Sequence, residues 1–183
     1  MKNKVLIFPT DTVYGIGASL FDTEGQKRIF AIKNRPLDKP LAVLCASLEQ
    51  IEAIAEVKED GKKLIKAFLP GPLTVILNAK EAVYQETGLK TIGVRIPKYD
   101  VALKILTEEG PMSTTSVNES GRPSLNDYYL IKETYGLLVD DIYPPSNDAT
   151  SSLPSTVVDL TGEEVKVLRF GAISLEMIKE VLK

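Results

Sequence analysis

Apolar residues along the chain fall into short runs separated by polar, proline-rich or glycine-rich breaks. Residues 4–8 form a first apolar run that ends at Pro9, which marks a buried strand. Asp22 or Thr23 then offers an N-cap for a helix through about Lys33, with Ile29, Phe30 and Ile32 to bury. LAVLC at 41–45 is a strand bounded by a proline-rich turn, and Ser47 caps a helix from Leu48 to about Ala55. A further helix is expected over 62–68, stopped by LPGP at 69–72. Strands follow at 73–77 and 91–96, then a helix over 100–108 that ends at Gly110-Pro111. MSTTS opens a short strand that runs into a polar loop, followed by a helix near 126–134 and a strand at 137–139. TVVDL and VKVLR pair as a hairpin around Thr161-Gly162, and Ser174 caps a closing helix.

Strands and helices alternate without βαβ units of constant length, which predicts one α/β domain. Its architecture is a twisted mixed sheet with helices on its faces, spanning 1–183. The segment from Pro144 to Pro154 is the best candidate for a mobile loop. At 183 residues the chain can build its own core without disulfide or metal support. The single cysteine, Cys45, sits among apolar neighbours and reads as a buried strand thiol. No run is long enough to span a bilayer or to serve as a signal peptide, so a soluble cytoplasmic protein is expected.

Charge and residue type narrow the chemistry. The net charge of −3 argues against binding nucleic acid through bulk electrostatics, although a local basic patch remains open. The chain has no histidine, which removes the commonest general base and every triad that depends on imidazole. Any site must be built from other side chains.

Several clusters are candidates for that work. The glycines of TVYGIGAS fit neither the dinucleotide fingerprint nor a phosphate loop, and alone they signal a turn. Thr10, Asp11 and Thr12 precede them, and hydroxyl-rich loops leaving a strand's C-terminal end are where open α/β sheets bind small ligands. In KNRPLDKPL, Lys33, Arg35 and Lys39 lie within seven positions. They form either a solvated helix end or a triphosphate clamp stiffened by Pro36 and Pro40. Arg95 stands in the apolar strand TIGVRIP, where a charge needs a partner. A salt bridge to an Asp or Glu and a carboxylate-binding role both satisfy that need. STTSVNESGRPS places six hydroxyl residues around Asn118, PSTVVD puts Ser155 and Thr156 at a strand start, and VLRFG carries Arg169.

Taken in order, PTDTVYGIG, KNRPLDKPL, LPGPLTVIL, TIGVRIP, STTSVNESGRPS, PSTVVDLTG and VLRFGAIS resemble the YrdC-like family of threonylcarbamoyl-AMP synthases over nearly the whole chain. The resemblance implies a sheet twisted around a large, positively charged cavity. It also implies synthesis of threonylcarbamoyl-AMP and pyrophosphate from L-threonine, bicarbonate and ATP, with Mg²⁺ accompanying the nucleotide. By position, Thr12, Arg95, Thr114 and Ser155 match threonine contacts. Arg35, Lys39, Thr91, Ser116, Ser124 and Arg169 match ATP contacts, with Lys33 and Asn118 in the same cavity. Lys33, Arg35 and Arg95 are the expected catalytic cations. The product would pass to a tRNA threonylcarbamoyl transferase complex for N6-threonylcarbamoyladenosine formation. The alternative is a non-catalytic module that binds tRNA or double-stranded RNA with the same cavity.

Three departures from the family pattern stand out. Almost nothing precedes Lys4, where a helix is usual; Val117 replaces an alanine; and Leu44 replaces a histidine of longer members. The chain also matches the short form, without the additional C-terminal domain.

Overall fold

A computed structural model describes residues 3–146 and 153–183. Within these residues nine strands form one mixed sheet. In chain order they are β1 (Leu6–Phe8), β2 (Gly15–Ser19), β3 (Ala42–Leu44), β4 (Leu73–Asn78), β5 (Thr91–Arg95), β6 (Met112–Ser116), β7 (Asp141–Ile142), β8 (Thr156–Asp159) and β9 (Lys166–Arg169). Across the sheet the order is β7-β1-β2-β6-β3-β5-β4-β8-β9. The pairs β1–β7, β3–β5 and β4–β8 are parallel and the others antiparallel.

Among the described residues seven helices cover this sheet: α1 (Thr23–Lys33), α2 (Leu48–Ile54), α3 (Glu59–Phe68), α4 (Glu81–Thr87), α5 (Asp100–Glu109), α6 (Tyr128–Tyr135) and α7 (Leu175–Leu182). Side-chain alternation along β1 shows why helices pack on both faces. Leu6 and Phe8 join the cluster under α5 that holds Ala102, Ile105 and Leu106. Val5 and Ile7 point the other way, onto Ile29 of α1 and Ile131 of α6. A third cluster packs Ile51, Leu64, Leu73, Val75, Val94 and Ile178 together, joining α2, α3 and α7 to the sheet.

Local signals fix most boundaries. Asp22 caps α1 by accepting from Gly25 N at 2.9 Å, so of the two candidate caps it is Asp22 that serves. Ser47 and Ser174 cap α2 and α7. α3 begins three positions before the expected residue 62, and α4 has no apolar stripe to announce it, since Val83 is its one buried residue. Residues 137–139 are not a strand: they lie in turns, Leu137 is fully exposed, and the edge strand starts at Asp141. Cys45 is buried, and burial pushes its thiol up to about 12. Residues 147–152 of the expected mobile loop lie outside the described residues.

TVYGIGAS departs furthest from expectation, because 15–19 is strand β2 and not a turn. Its glycines serve close approach. A Cβ at Gly15 would lie 2.8 Å from Thr114 Cγ2, and one at Gly17 would lie 2.8 Å from Thr114 Oγ1. The missing side chains leave room for Thr114, which pairs with Gly17 across β2–β6. Gly17→Val should therefore destabilise the fold by about 1–3 kcal/mol through overpacking. Leu137→Ser, on a fully exposed side chain, should change stability by less than about 0.5 kcal/mol. Urea unfolding of both variants checks the contrast.

Candidate functional site: an arginine-lined cavity over the sheet

The sheet's register builds the floor of a cavity of about 530 Å³. Leu44 pairs with Arg95 across β3–β5, Thr74 with Val157 across β4–β8, and Val157 with Arg169 across β8–β9. Val75 pairs with Val94, which sets Thr74 level with Arg95. Leu44, Arg95, Thr74, Val157 and Arg169 thus form one row across five strands, and all five line the cavity. Thr10, Thr12, Arg35, Thr114, Thr115, Ser116, Ser124 and Ser155 complete its polar wall, and no carboxylate is among the lining residues described.

Arg95 occupies the centre of the row. It is 7% exposed, and its guanidinium has a partner on each nitrogen. Nε donates to Gly71 O at 3.0 Å, one terminal nitrogen to Thr12 Oγ1 at 2.9 Å, and the other to Asp11 Oδ1 at 2.6 Å. These contacts use three of the five N–H groups an arginine carries. Both sequence-level options for Arg95 are therefore compatible: it has its salt bridge, and it keeps donors toward the cavity. Burial chiefly lowers its pKa; the Asp11 charge and hydrogen bond raise it, and the nearby Arg169 charge lowers it.

Among the described residues, Arg169 is hydrogen-bonded by Ser155. Its Nε and one terminal nitrogen donate to Ser155 O at 3.1 and 2.9 Å, and the same terminal nitrogen donates to Ser155 Oγ at 3.0 Å. Ser155 Oγ in turn lies 2.9 Å from Thr74 Oγ1. Thr74 lies in the apolar run LTVIL, where its hydroxyl is the one polar signal of a site residue. Thr156, next along β8, is fully buried and ties the loop after β9 by accepting from Gly171 N and Ile173 N.

The three cations of KNRPLDKPL do not converge. Arg35 lines the cavity, its side chain held by the turn it precedes, donating to Lys39 O and Pro40 O at 3.1 Å each. Lys39 is exposed, and it is its carbonyl that holds Arg35. Lys33 is 1% exposed and points under the wall, donating to Ser116 O, to Asn118 O at 2.7 Å and to Asn118 Oδ1 at 2.9 Å. Three oxygens meet the three N–H groups of the ammonium. Burial, and secondarily the Arg35 charge, pull its pKa down to about 8. Asn118 Oδ1 also accepts from Ser116 Oγ at 2.6 Å, so the Lys33–Asn118 pair fixes a hydroxyl that lines the cavity.

Besides Lys33, Lys39 and Asn118, Thr91 is an expected site residue that the fold does not bring to the cavity wall. It is exposed at the start of β5, paired with Asn78, while Arg95 ends the same strand. Four residues of strand put about 13 Å between their Cα atoms. The remaining expected residues, Thr12, Thr114, Ser116, Ser124 and Ser155, all line the cavity. Among the described residues no group of three or more His, Cys, Asp or Glu side chains gathers to hold a metal ion. No helix among them is long and apolar enough to cross a membrane.

Comparison with known proteins agrees with this architecture. The Sua5/YciO/YrdC model, described as telomere recombination, matches residues 1–171. A threonylcarbamoyl-AMP synthase of Pyrococcus abyssi is 39% identical over 99% of this chain, which spans 54% of that protein. A putative threonylcarbamoyl-AMP synthase of Mycobacterium leprae is 36% identical over 98% of this chain and 82% of its own length. The crystal structure of P. abyssi Sua5 complexed with L-threonine superposes with a TM-score of 0.89 at 38% identity, covering 98% of this chain and 54% of that one. E. coli YciO superposes with a TM-score of 0.83 at 28% identity, covering 96% and 86%. The chain spans about half the length of the P. abyssi relative, and nearly all of it is matched. By its sequence, its mixed sheet and the extent of these matches, this chain belongs to the Sua5/YciO/YrdC family.

Proposed function

We propose that this chain is an L-threonylcarbamoyladenylate synthase, a nucleotidyltransferase acting in the cytoplasm on L-threonine, bicarbonate and ATP. The observation that carries this reading is the shared cavity, in which Arg95 and Arg169 stand in one row across the sheet. Two neighbouring guanidinium groups with no lining carboxylate favour the gathering of several anions. The relatives named as threonylcarbamoyl-AMP synthases, and the Sua5 complex with L-threonine, support the choice of anions.

In this reading Arg95 takes the threonine carboxylate, with Thr12, Thr114 and Ser155 supplying hydroxyls around it. Arg35 and Arg169 take the ATP phosphates, joined by Ser116 and Ser124. Lys33 and Asn118 act by holding Ser116, and exposed Lys39 is left to contact an outer phosphate. Thr91 has no part in it. The threonine amine condenses with bicarbonate, losing water, and the resulting carbamate oxygen attacks the α-phosphorus of ATP while pyrophosphate leaves. The nucleophile belongs to the substrate, so a chain without histidine can run the reaction by positioning and charge neutralisation. Mg²⁺ is proposed to arrive on the triphosphate. The described side chains offer no carboxylate cage for it, so no step is assigned to a protein-held metal. The adenylate would then be consumed by the transferase complex that modifies tRNA.

Purified protein given threonine, bicarbonate and Mg·ATP should release pyrophosphate only when threonine is present. Threonine-independent release, or none, contradicts the assignment, and salt-sensitive RNA binding in place of turnover would indicate a binding module. Arg95→Ala should raise the KM for threonine roughly ten- to a hundredfold, the equivalent of one lost charge-assisted bond. Arg169→Ala should raise the KM for ATP more than that for threonine. Steady-state kinetics on both variants, varying each substrate in turn, tests the division of labour.

A further inference from the structure

Asp11 is a buried carboxylate that the reaction does not use. It is 9% exposed and is absent from the cavity wall, although Thr10 and Thr12 on either side of it are part of that wall. Its Oδ1 meets an Arg95 terminal nitrogen at 2.6 Å, across 84 positions of sequence. The other two acceptors on Arg95 are neutral: the Gly71 carbonyl at 3.0 Å and the Thr12 hydroxyl at 2.9 Å. Thr12 Oγ1 is itself 3.2 Å from Thr10 Oγ1, a long bond that restrains it weakly. Arg95 also feels the like charge of Arg169. Of its three anchors, then, only Asp11 carries a charge that opposes that repulsion.

Three acceptors on three different nitrogens define the plane of a guanidinium. Removing the charged one leaves the planar guanidinium held by two neutral acceptors, Gly71 O and Thr12 Oγ1, so the side-chain torsions that aim it, and the exchange of its terminal nitrogens about Nε–Cζ, are less restrained. A bidentate grip on a carboxylate requires two N–H groups presented in one plane. We infer that Asp11 is a positioning residue for amino-acid recognition, fixing the Arg95 guanidinium so that its remaining N–H groups meet a substrate carboxylate. This rests on the assignment of threonine to Arg95 above. It adds that the specificity of the threonine half depends on a residue the substrate never touches.

The test compares wild type, Asp11→Ala and Asp11→Asn by calorimetric titration with L-threonine and, separately, Mg·ATP. Asp11→Ala should weaken threonine binding about ten- to a hundredfold, as for a lost charged hydrogen bond, and ATP binding by no more than about threefold. Asp11→Asn keeps an oxygen acceptor but loses the charge, and should bind threonine more weakly than wild type and more tightly than Asp11→Ala. Unchanged threonine binding in Asp11→Ala overturns the inference. So does an equal loss of both ligands, or an Asn variant as poor as the Ala variant. Nitrogen-15 NMR of the Arg95 guanidinium reads positioning without any ligand. Separate, slowly exchanging terminal N–H signals in wild type and Asp11→Asn, averaged in Asp11→Ala, support the inference. Averaged signals in wild type overturn it, even where Asp11→Ala does not fold. If wild type binds no threonine, the synthase assignment fails, and the NMR comparison still decides whether Asp11 positions Arg95.

Discussion

An arginine 7% exposed at the end of a central strand is a severe constraint on a fold of this size. Desolvating a guanidinium costs several kcal/mol unless its donors are met and its charge is balanced. Here the three acceptors come from two separate loops, Asp11 and Thr12 before β2 and Gly71 before β4. Those two loops close over the end of β5 to meet the guanidinium. The same closure creates the cavity. What stabilises the buried charge and what shapes the ligand site are the same contacts, and this explains how a polar site can lie at the centre of an otherwise apolar sheet.

The second arginine extends the logic along the row. Arg169 is held by Ser155, and Ser155 is braced by Thr74 on the strand beside Arg95. A serine assigned to threonine contact thus also holds a side chain assigned to ATP. The two halves of the site share structure as well as charge. On the far side, Lys33 under the wall and Asn118 between it and Ser116 form a rigid backing for the hydroxyl that faces the cavity. The cations divide into those that can meet ligand, Arg35, Arg95 and Arg169 on the wall and exposed Lys39 outside it, and one, Lys33, that stiffens the wall.

Much of this was legible in the amino-acid pattern, and the failures have physical causes. Leu6–Phe8 and Leu73–Asn78 could be read as strands because apolar runs ended by proline or polar turns have few alternatives. Helix α4 was invisible because EAVYQET buries only Val83, and a helix without an apolar stripe leaves no period to read. Leu137 and Leu138 suggested a strand, but they are exposed in turns, where apolar character says nothing of pairing. Glycine's poor strand propensity hid β2, whose glycines are there to admit Thr114. At the site, Arg95 announced itself as a charge in an apolar run, but its partner Asp11 could not be named from residues so far apart in sequence. Thr91 resembles a ligand contact by motif position, yet strand length carries it to the opposite end of β5 from Arg95.

The central claim is that the Arg95 guanidinium, anchored by Asp11, Thr12 and Gly71, is the carboxylate receptor of the cavity. A crystal structure of this chain grown with L-threonine tests it most directly. The account predicts the threonine carboxylate within hydrogen-bonding distance of the free Arg95 N–H groups, with the Asp11–Arg95 ion pair intact. Threonine bound elsewhere, or Arg95 released from Asp11 on binding, would contradict it.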